Sequence, residues 1–272
     1  MPVLKDKFAC LVNLPPMPVL LMDALQQING EQNLTTLVDK IGQDATLVIR
    51  VLRIANSPFY GMPREIGSLR EAIVLIGCNR IRDMLVSICF SKMIPTWHRD
   101  FNYHLFSHHS MAVAECTREF ANYTGNSPDF AFTAGLLHDI GYLVMAVLFP
   151  DKFSLITNES VHPSVETERR ILGFDNVELG SKAAQLWNLP LSIQEAIEQH
   201  QTPPEPGAAK SLGLLVYTAN LLIAKSQQSD GAVWAEDEPV CTALDMLNIS
   251  IKEAMHCTDR GRQFADQIIT LF

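Results

Sequence analysis

Apolar residues recur at helical spacing along almost the whole chain, and no stretch alternates in the way a half-buried strand would. Leu34, Leu37, Val38 and Ile41 form one apolar stripe that ends at Gly42. Asp44 then sits where a helix cap belongs, with Leu47, Val48, Val51, Leu52 and Ala55 on the face behind it. That helix must stop near Asn56-Ser57-Pro58, because the residue before a proline is driven out of the α region. Ser68-Leu69-Arg70-Glu71 has capping-box spacing and opens a short helix ending at Gly77. A further helix is expected from about Arg80 to Met93, stopped by Pro95.

Longer helices follow. Ser110 leads into Met111–Tyr123, closed by Gly125, and Ser127-Pro128 supplies an N-cap and a first-turn proline for a segment through Leu148. Gly141 is placed to divide that segment in two. Pro190–Gln201 reads as a helix, followed by a linker at Pro203-Pro204-Glu205-Pro206-Gly207. Leu212–Ala224 is apolar on nearly every face and so belongs at the centre of its lobe. A polar stretch around Gln227–Glu238 precedes two final helices. The pattern predicts an all-α fold with an N-terminal helical lobe ending near Met93–His98 and a second lobe joined to it through an apolar interface.

Composition narrows the class. With 272 residues, 47% hydrophobic and 19% charged, the chain can bury a sizeable core. A net charge of −9 argues against nucleic-acid binding by the protein as a whole. Arg50, Arg53, Arg64, Arg70, Arg80 and Arg82 gather positive charge in the N-terminal lobe, whose short helices resemble helix-turn-helix geometry. Asp44, Glu65, Glu71 and Asp83 are interleaved with them, which favours a solvated, paired face. Cys10, Cys78, Cys89, Cys116, Cys241 and Cys257 are scattered without a C-x-x-C pair and read as reduced thiols. Ile140–Phe149 and Leu212–Ala224, the longest apolar runs, fall short of a membrane span, and no signal-peptide core follows the N-terminus. A cytoplasmic protein is expected.

Against this apolar background a few polar residues stand out. His109 lies on the same face as Val113, Cys116 and Phe120, and His200 shares a face with Ile193, Ala196 and Ile197. His138-Asp139 and Asn220 also fall in apolar helical stretches. Buried groups of this kind need mutual partners or an ion, so all five are expected in one cluster. Adjacent imidazole and carboxylate suit a hard or borderline divalent cation. His104 and His108 are expected ahead of the helix and outside the cluster, and Trp187, beside Leu189-Pro190, reads as a packing anchor.

Gly135-Leu136-Leu137-His138-Asp139-Ile140-Gly141 resembles the signature of the HD phosphohydrolase superfamily. Leu14-Pro15-Pro16-Met17-Pro18, Ile54-Ala55-Asn56-Ser57-Pro58-Phe59-Tyr60-Gly61 and Ile66-Gly67-Ser68-Leu69-Arg70-Glu71-Ala72-Ile73 are similar to one branch, the HDOD family of bacterial signalling output domains. Leu75-Ile76-Gly77, Gly173-Phe174 and Trp187-Asn188-Leu189-Pro190 extend the likeness from about Leu14 to Ala224. The resemblance implies an HD-domain-like bundle: an HDOD-type module over 8–205, its N-terminal lobe 8–98 and HD-like lobe 99–205, with 206–272 completing the HD-like lobe. It implies a role in signal transduction, a protein partner, and a divalent metal (manganese, magnesium or iron) held by His109, His138, Asp139 and His200.

The departures from active members lie at the same site. Tyr142 stands where a lysine commonly follows, Asn176 where a histidine is often found, Gln201 at the second place of a His-His pair, and Asn220 at the closing aspartate. Three readings follow. A non-catalytic signalling or scaffold domain with a degenerate metal site, weakly loaded or vacant, is the first. A metal-dependent phosphohydrolase or phosphodiesterase with a reduced ligand set, Asp139 carrying its chemistry, is the second. Nucleic-acid binding through the N-terminal lobe is the third. The residues favour the first.

Overall fold

The computed structural model describes residues 34–57, 60–92, 101–159, 164–202, 210–226 and 237–269, with Phe8, Leu11, Leu14 and Trp234. Among the described residues the fold is all-α, as the periodicity requires, and no strand occurs. Pro15–Pro18, the expected lobe boundary at Met93–His98, and the linker at 203–207 lie outside them. The described residues fall into two compact units.

The first unit holds α1 (Leu34–Gly42), α2 (Ala45–Ala55), α3 (Leu69–Ile76) and α4 (Cys78–Lys92), together with residues 267–269. Asp44 caps α2 as expected, its carboxylate accepting from the Thr46 and Leu47 amides at 2.8 and 3.3 Å. The buried face of α2 is Leu47, Val51, Ile54 and Ala55, so Ile54 replaces the half-buried Val48 and Leu52 of the expected stripe. Asn56 ends this helix and pins the following loop, accepting from the Ile66 amide at 2.7 Å and donating to the Ile66 carbonyl at 2.9 Å. Ser68 occupies the N-cap of α3 with extended backbone but makes no side-chain cap bond. The capping box fails because Glu71, its other half, is drawn into an ion pair with Arg64.

The second unit runs from α5 to Asp266. It contains α5 (Tyr103–Thr124), α6 (Pro128–Leu137), α7 (Ile140–Leu148), α8 (Pro150–Glu159), α9 (Val165–Leu172) and α10 (Asn176–Leu186). α11 (Leu191–Gln199), α12 (Leu212–Ser226), α13 (Glu238–Leu247) and most of α14 (Ile251–Ile269) complete it. α12 is central, packing on α5, α6, α11 and α13, with Leu214, Leu215, Val216, Ala219, Leu222 and Ile223 fully buried. α5 begins two turns before the expected start, because Asn102 caps it by accepting from the Leu105 amide at 3.0 Å. His104 and His108 are therefore helical, and His108 pairs with Asp266 at 2.9 Å.

The segment from Pro128 to Leu148 breaks at His138-Asp139 and not at Gly141. Gly141 serves a different need. A Cβ there would lie 1.8 Å from the Asn176 carbonyl oxygen, so only glycine lets α7 meet α10 backbone to backbone. By length and apolar composition Pro128–Leu148 does reach a membrane span, contrary to expectation, but 78% of its most apolar stretch is buried inside the fold and the segment is broken at its middle. It packs as core.

Candidate functional site

The break between α6 and α7 turns two consecutive polar residues inward. His138 ends α6 and is 1% exposed, its Nδ1 donating to the Gly135 carbonyl at 2.7 Å. Asp139 stands at the N-cap position of α7 without capping it. His200 closes α11 in the same manner as His138, 1% exposed and donating from Nδ1 to the Ile197 carbonyl at 2.6 Å. Carbonyl oxygens only accept, so in each ring the hydrogen sits on Nδ1 and Nε2 of the neutral imidazole is an acceptor.

The five residues expected in one cluster are brought together. The rings of His109 and His138 stand 5.4 Å apart and those of His138 and His200 5.2 Å apart. His200 Nε2 lies 3.9 Å from Asp139 Oδ1. Half-buried Asn220, on α12, donates from Nδ2 to the His200 carbonyl at 3.4 Å, which turns its amide oxygen toward His109. His109 Nε2 donates to that oxygen at 2.9 Å. His109 thus carries its hydrogen on the nitrogen that faces the cluster.

Of the other expected residues, Asn176 and Gln201 are bonded to each other and Tyr142 follows Asp139 on α7. Asn176, the first residue of α10, donates from both its backbone and side chain to Glu168 at 2.7 and 2.9 Å, and accepts from Gln201 at 3.4 Å. Tyr142 is one turn beyond Asp139 and packs in an aromatic group with Phe101, Phe106 and Phe153 at centroid distances of 5.9, 6.1 and 4.8 Å. Glu168 is the residue that sequence reasoning missed. It is 1% exposed, yet its neighbours Glu166, Arg169 and Arg170 gave it the look of an ordinary surface position. The one available signal was its i,i+4 relation to Leu172 just before the Gly173 stop.

Burial sets the charge states. It lowers His138 well below the usual imidazole value, with His200 and His109 adding to the effect, and lowers His200 to about 4. It raises Asp139 well above the carboxylate range, with Glu168 contributing, and raises Glu168 to about 7 against the opposing Asn176 hydrogen bonds. Tyr142 is raised by burial and then by Asp139 and Glu168. Two buried atoms here, Asp139 Oδ1 and His200 Nε2, meet no hydrogen-bond partner among the described residues. No group of three or more His, Cys, Asp and Glu side chains among the described residues is disposed to hold a metal ion.

His104 is exposed and lies outside the cluster. In the first unit Arg82 is buried against Asp83 and Arg64 pairs with Glu71, so two of the six clustered arginines are neutralised locally.

Residues 14–203 match the HDOD domain family. The fold is similar to an HDOD domain protein of unknown function from Geobacter sulfurreducens, at TM-score 0.79 and 21% identity over 99% of both chains. It is also similar to a candidate phosphohydrolase from Shewanella amazonensis SB2B, at TM-score 0.75 and 22% identity over 97% of this chain and 98% of that one. A candidate signal transduction protein from Marinobacter aquaeolei VT8 gives TM-score 0.70 and 20% identity over 98% of this chain and 61% of that one. An uncharacterized protein of Treponema pallidum (strain Nichols) is 25% identical over 224 residues, 78% of this chain. The matched region spans 42% of that relative's length.

Proposed function

We propose, from the premise that this chain belongs to the HDOD family, that it acts as a signal-transduction output or scaffold domain, working through a protein partner in the cytoplasm. On this reading its HD site is a degenerate metal site that no longer hydrolyses phosphate esters. The observation that carries the proposal is the pairing of His109 with Asn220. An aspartate at position 220 would put a second anionic oxygen donor beside His109, one that a divalent ion could draw on. The amide, held by the His200 carbonyl, instead takes the His109 hydrogen and occupies both groups with each other.

The donor set that remains, His138, His200 and Asp139, fits a catalytic divalent ion poorly. It offers one carboxylate, whose charge is itself disfavoured by burial, and neutral rings do not offset a double positive charge. Tyr142 brings no cation to hold a phosphate. A phosphohydrolase reading keeps one supporting observation, the unpartnered Asp139 Oδ1 and His200 Nε2. Nucleic-acid binding has less support, given the paired Arg64 and Arg82.

Turnover of generic phosphodiester and nucleotide substrates with added manganese, magnesium or iron tests the proposal. Background rates are expected with each metal. Turnover that Asp139→Ala abolishes would establish the enzyme reading in its place.

A further inference from the structure

We propose that the acceptor cluster of His138, His200 and Asp139 is a binding site for a small primary ammonium ion. The inference deepens the reading above and rests on it, since it requires that His109 and Asn220 be occupied with each other.

The argument starts from donors and acceptors. The Gly135 and Ile197 carbonyls fix the hydrogens of both buried rings on Nδ1, so each Nε2 is a lone-pair site. Asp139 Oδ1 adds a third acceptor. His200 Nε2 and Asp139 Oδ1 are buried, unpartnered among the described residues, and 3.9 Å apart. That separation exceeds a hydrogen bond whichever of the two carries a proton, so no protonation state lets them satisfy each other. A nitrogen donor at about 2.8–2.9 Å from each fits between them.

The number of donors and the charge then select the ligand class. A water molecule could bridge the two unpartnered atoms, Asp139 Oδ1 and His200 Nε2, but brings no charge to the carboxyl group. A primary ammonium offers three N–H groups and a full positive charge. Asp139 brings one carboxyl group to the site, whereas Arg169, the cation that acts on neighbouring Glu168, pairs with Asp175 and is 58% exposed. Access is from the Asp139 side. Its side chain is 24% exposed and His109 and Tyr142 are half-buried, while His138 and His200 are sealed.

The test uses the full chain labelled with 15N-histidine and titrated separately with methylammonium, tetramethylammonium and manganese chlorides. Methylammonium is expected to shift the Nε2 resonances of His138 and His200 saturably. Tetramethylammonium, equal in charge but without N–H donors, is expected to leave them in place. Asp139→Asn should weaken methylammonium binding by about tenfold or more, the loss of one charge-assisted bond. The tetramethylammonium comparison is made on the unmodified protein, so it stands even if the variant does not fold. Equal responses to the two ammonium ions, or none to either, overturn the site. Without manganese broadening, that result leaves the non-catalytic reading intact. Stoichiometric manganese broadening of both rings overturns the ammonium site and that reading together.

Discussion

Glu168 and His200 are buried to the same degree and pull the stability of the protein in opposite directions as pH falls. His200 is lowered from 6.5 to about 4. Its contribution is therefore fully present above pH 6.5 and is lost as pH falls through 4, because the unfolded chain takes a proton that the folded one refuses. Glu168 is raised from 4.5 to about 7. Its contribution is fully present below pH 4.5 and is lost as pH rises through 7, because the folded state holds the proton that the unfolded chain gives up. Each gap corresponds to about 3 kcal/mol, with no discount for solvent since both side chains are sealed. The experiment is urea denaturation of the native protein, Glu168→Gln and His200→Gln at a series of pH values between about 4 and 8. Subtracting each variant from the native protein isolates the replaced group together with its coupling to its neighbours, Asp139 for Glu168 and His138 for His200, and cancels the rest. For Glu168→Gln the native advantage should grow by about 3 kcal/mol as pH falls from 7 to 4.5. For His200→Gln it should shrink by a similar amount as pH falls from 6.5 to 4. Two flat difference curves, or two of the same slope, would refute the assignment of Glu168 and His200 as buried groups held neutral by the fold.

Three further outcomes follow from particular contacts. Asn220→Asp should raise manganese affinity by roughly tenfold or more by restoring a carboxylate beside His109, measured by calorimetry; unchanged affinity would mean that the amide is not what retires His109. Gly141→Ala should lower stability by about 3 kcal/mol or more, since its methyl group would meet the Asn176 carbonyl at 1.8 Å. Gly42→Ala, with nothing within 4 Å, should be neutral or slightly stabilising, and thermal unfolding of the pair decides. Asp44→Ala should cost about 1 kcal/mol through its lost cap, whereas Ser68→Ala should cost no more than a few tenths, as its hydroxyl makes no cap bond. Equal losses on denaturation would contradict the capping geometry.

The parts of the molecule that follow from local periodicity were legible in the sequence. Much of the buried face of Leu47–Ala55 shows in its spacing, the continuous apolar character of Leu212–Ala224 marks it as central, and inward polar residues in such stretches announce a shared site. Features that depend on a distant partner were not. Ser68 and Glu71 carry the right spacing for a capping box, but Arg64 competes for the carboxylate across seven residues. Gly141 looks like a helix breaker in isolation, and only the approach of Asn176 from another helix shows that it is a contact point. Glu168 sits in a run of charge that suits a surface, and its burial comes from Asn176 eight residues on. Position 220 could be read as a lost charge, but the orientation of its amide, and hence the tautomer of His109, needed the His200 carbonyl to be in place.

Metal content tests the central claim most directly. The purified chain would be equilibrated in turn with manganese, magnesium and iron, freed of loosely held ions, and quantified by elemental analysis. The pairing of His109 with Asn220 predicts far less than one ion per chain with every metal. One tightly held ion per chain, lost on Asp139→Ala in a variant that still folds, would contradict it.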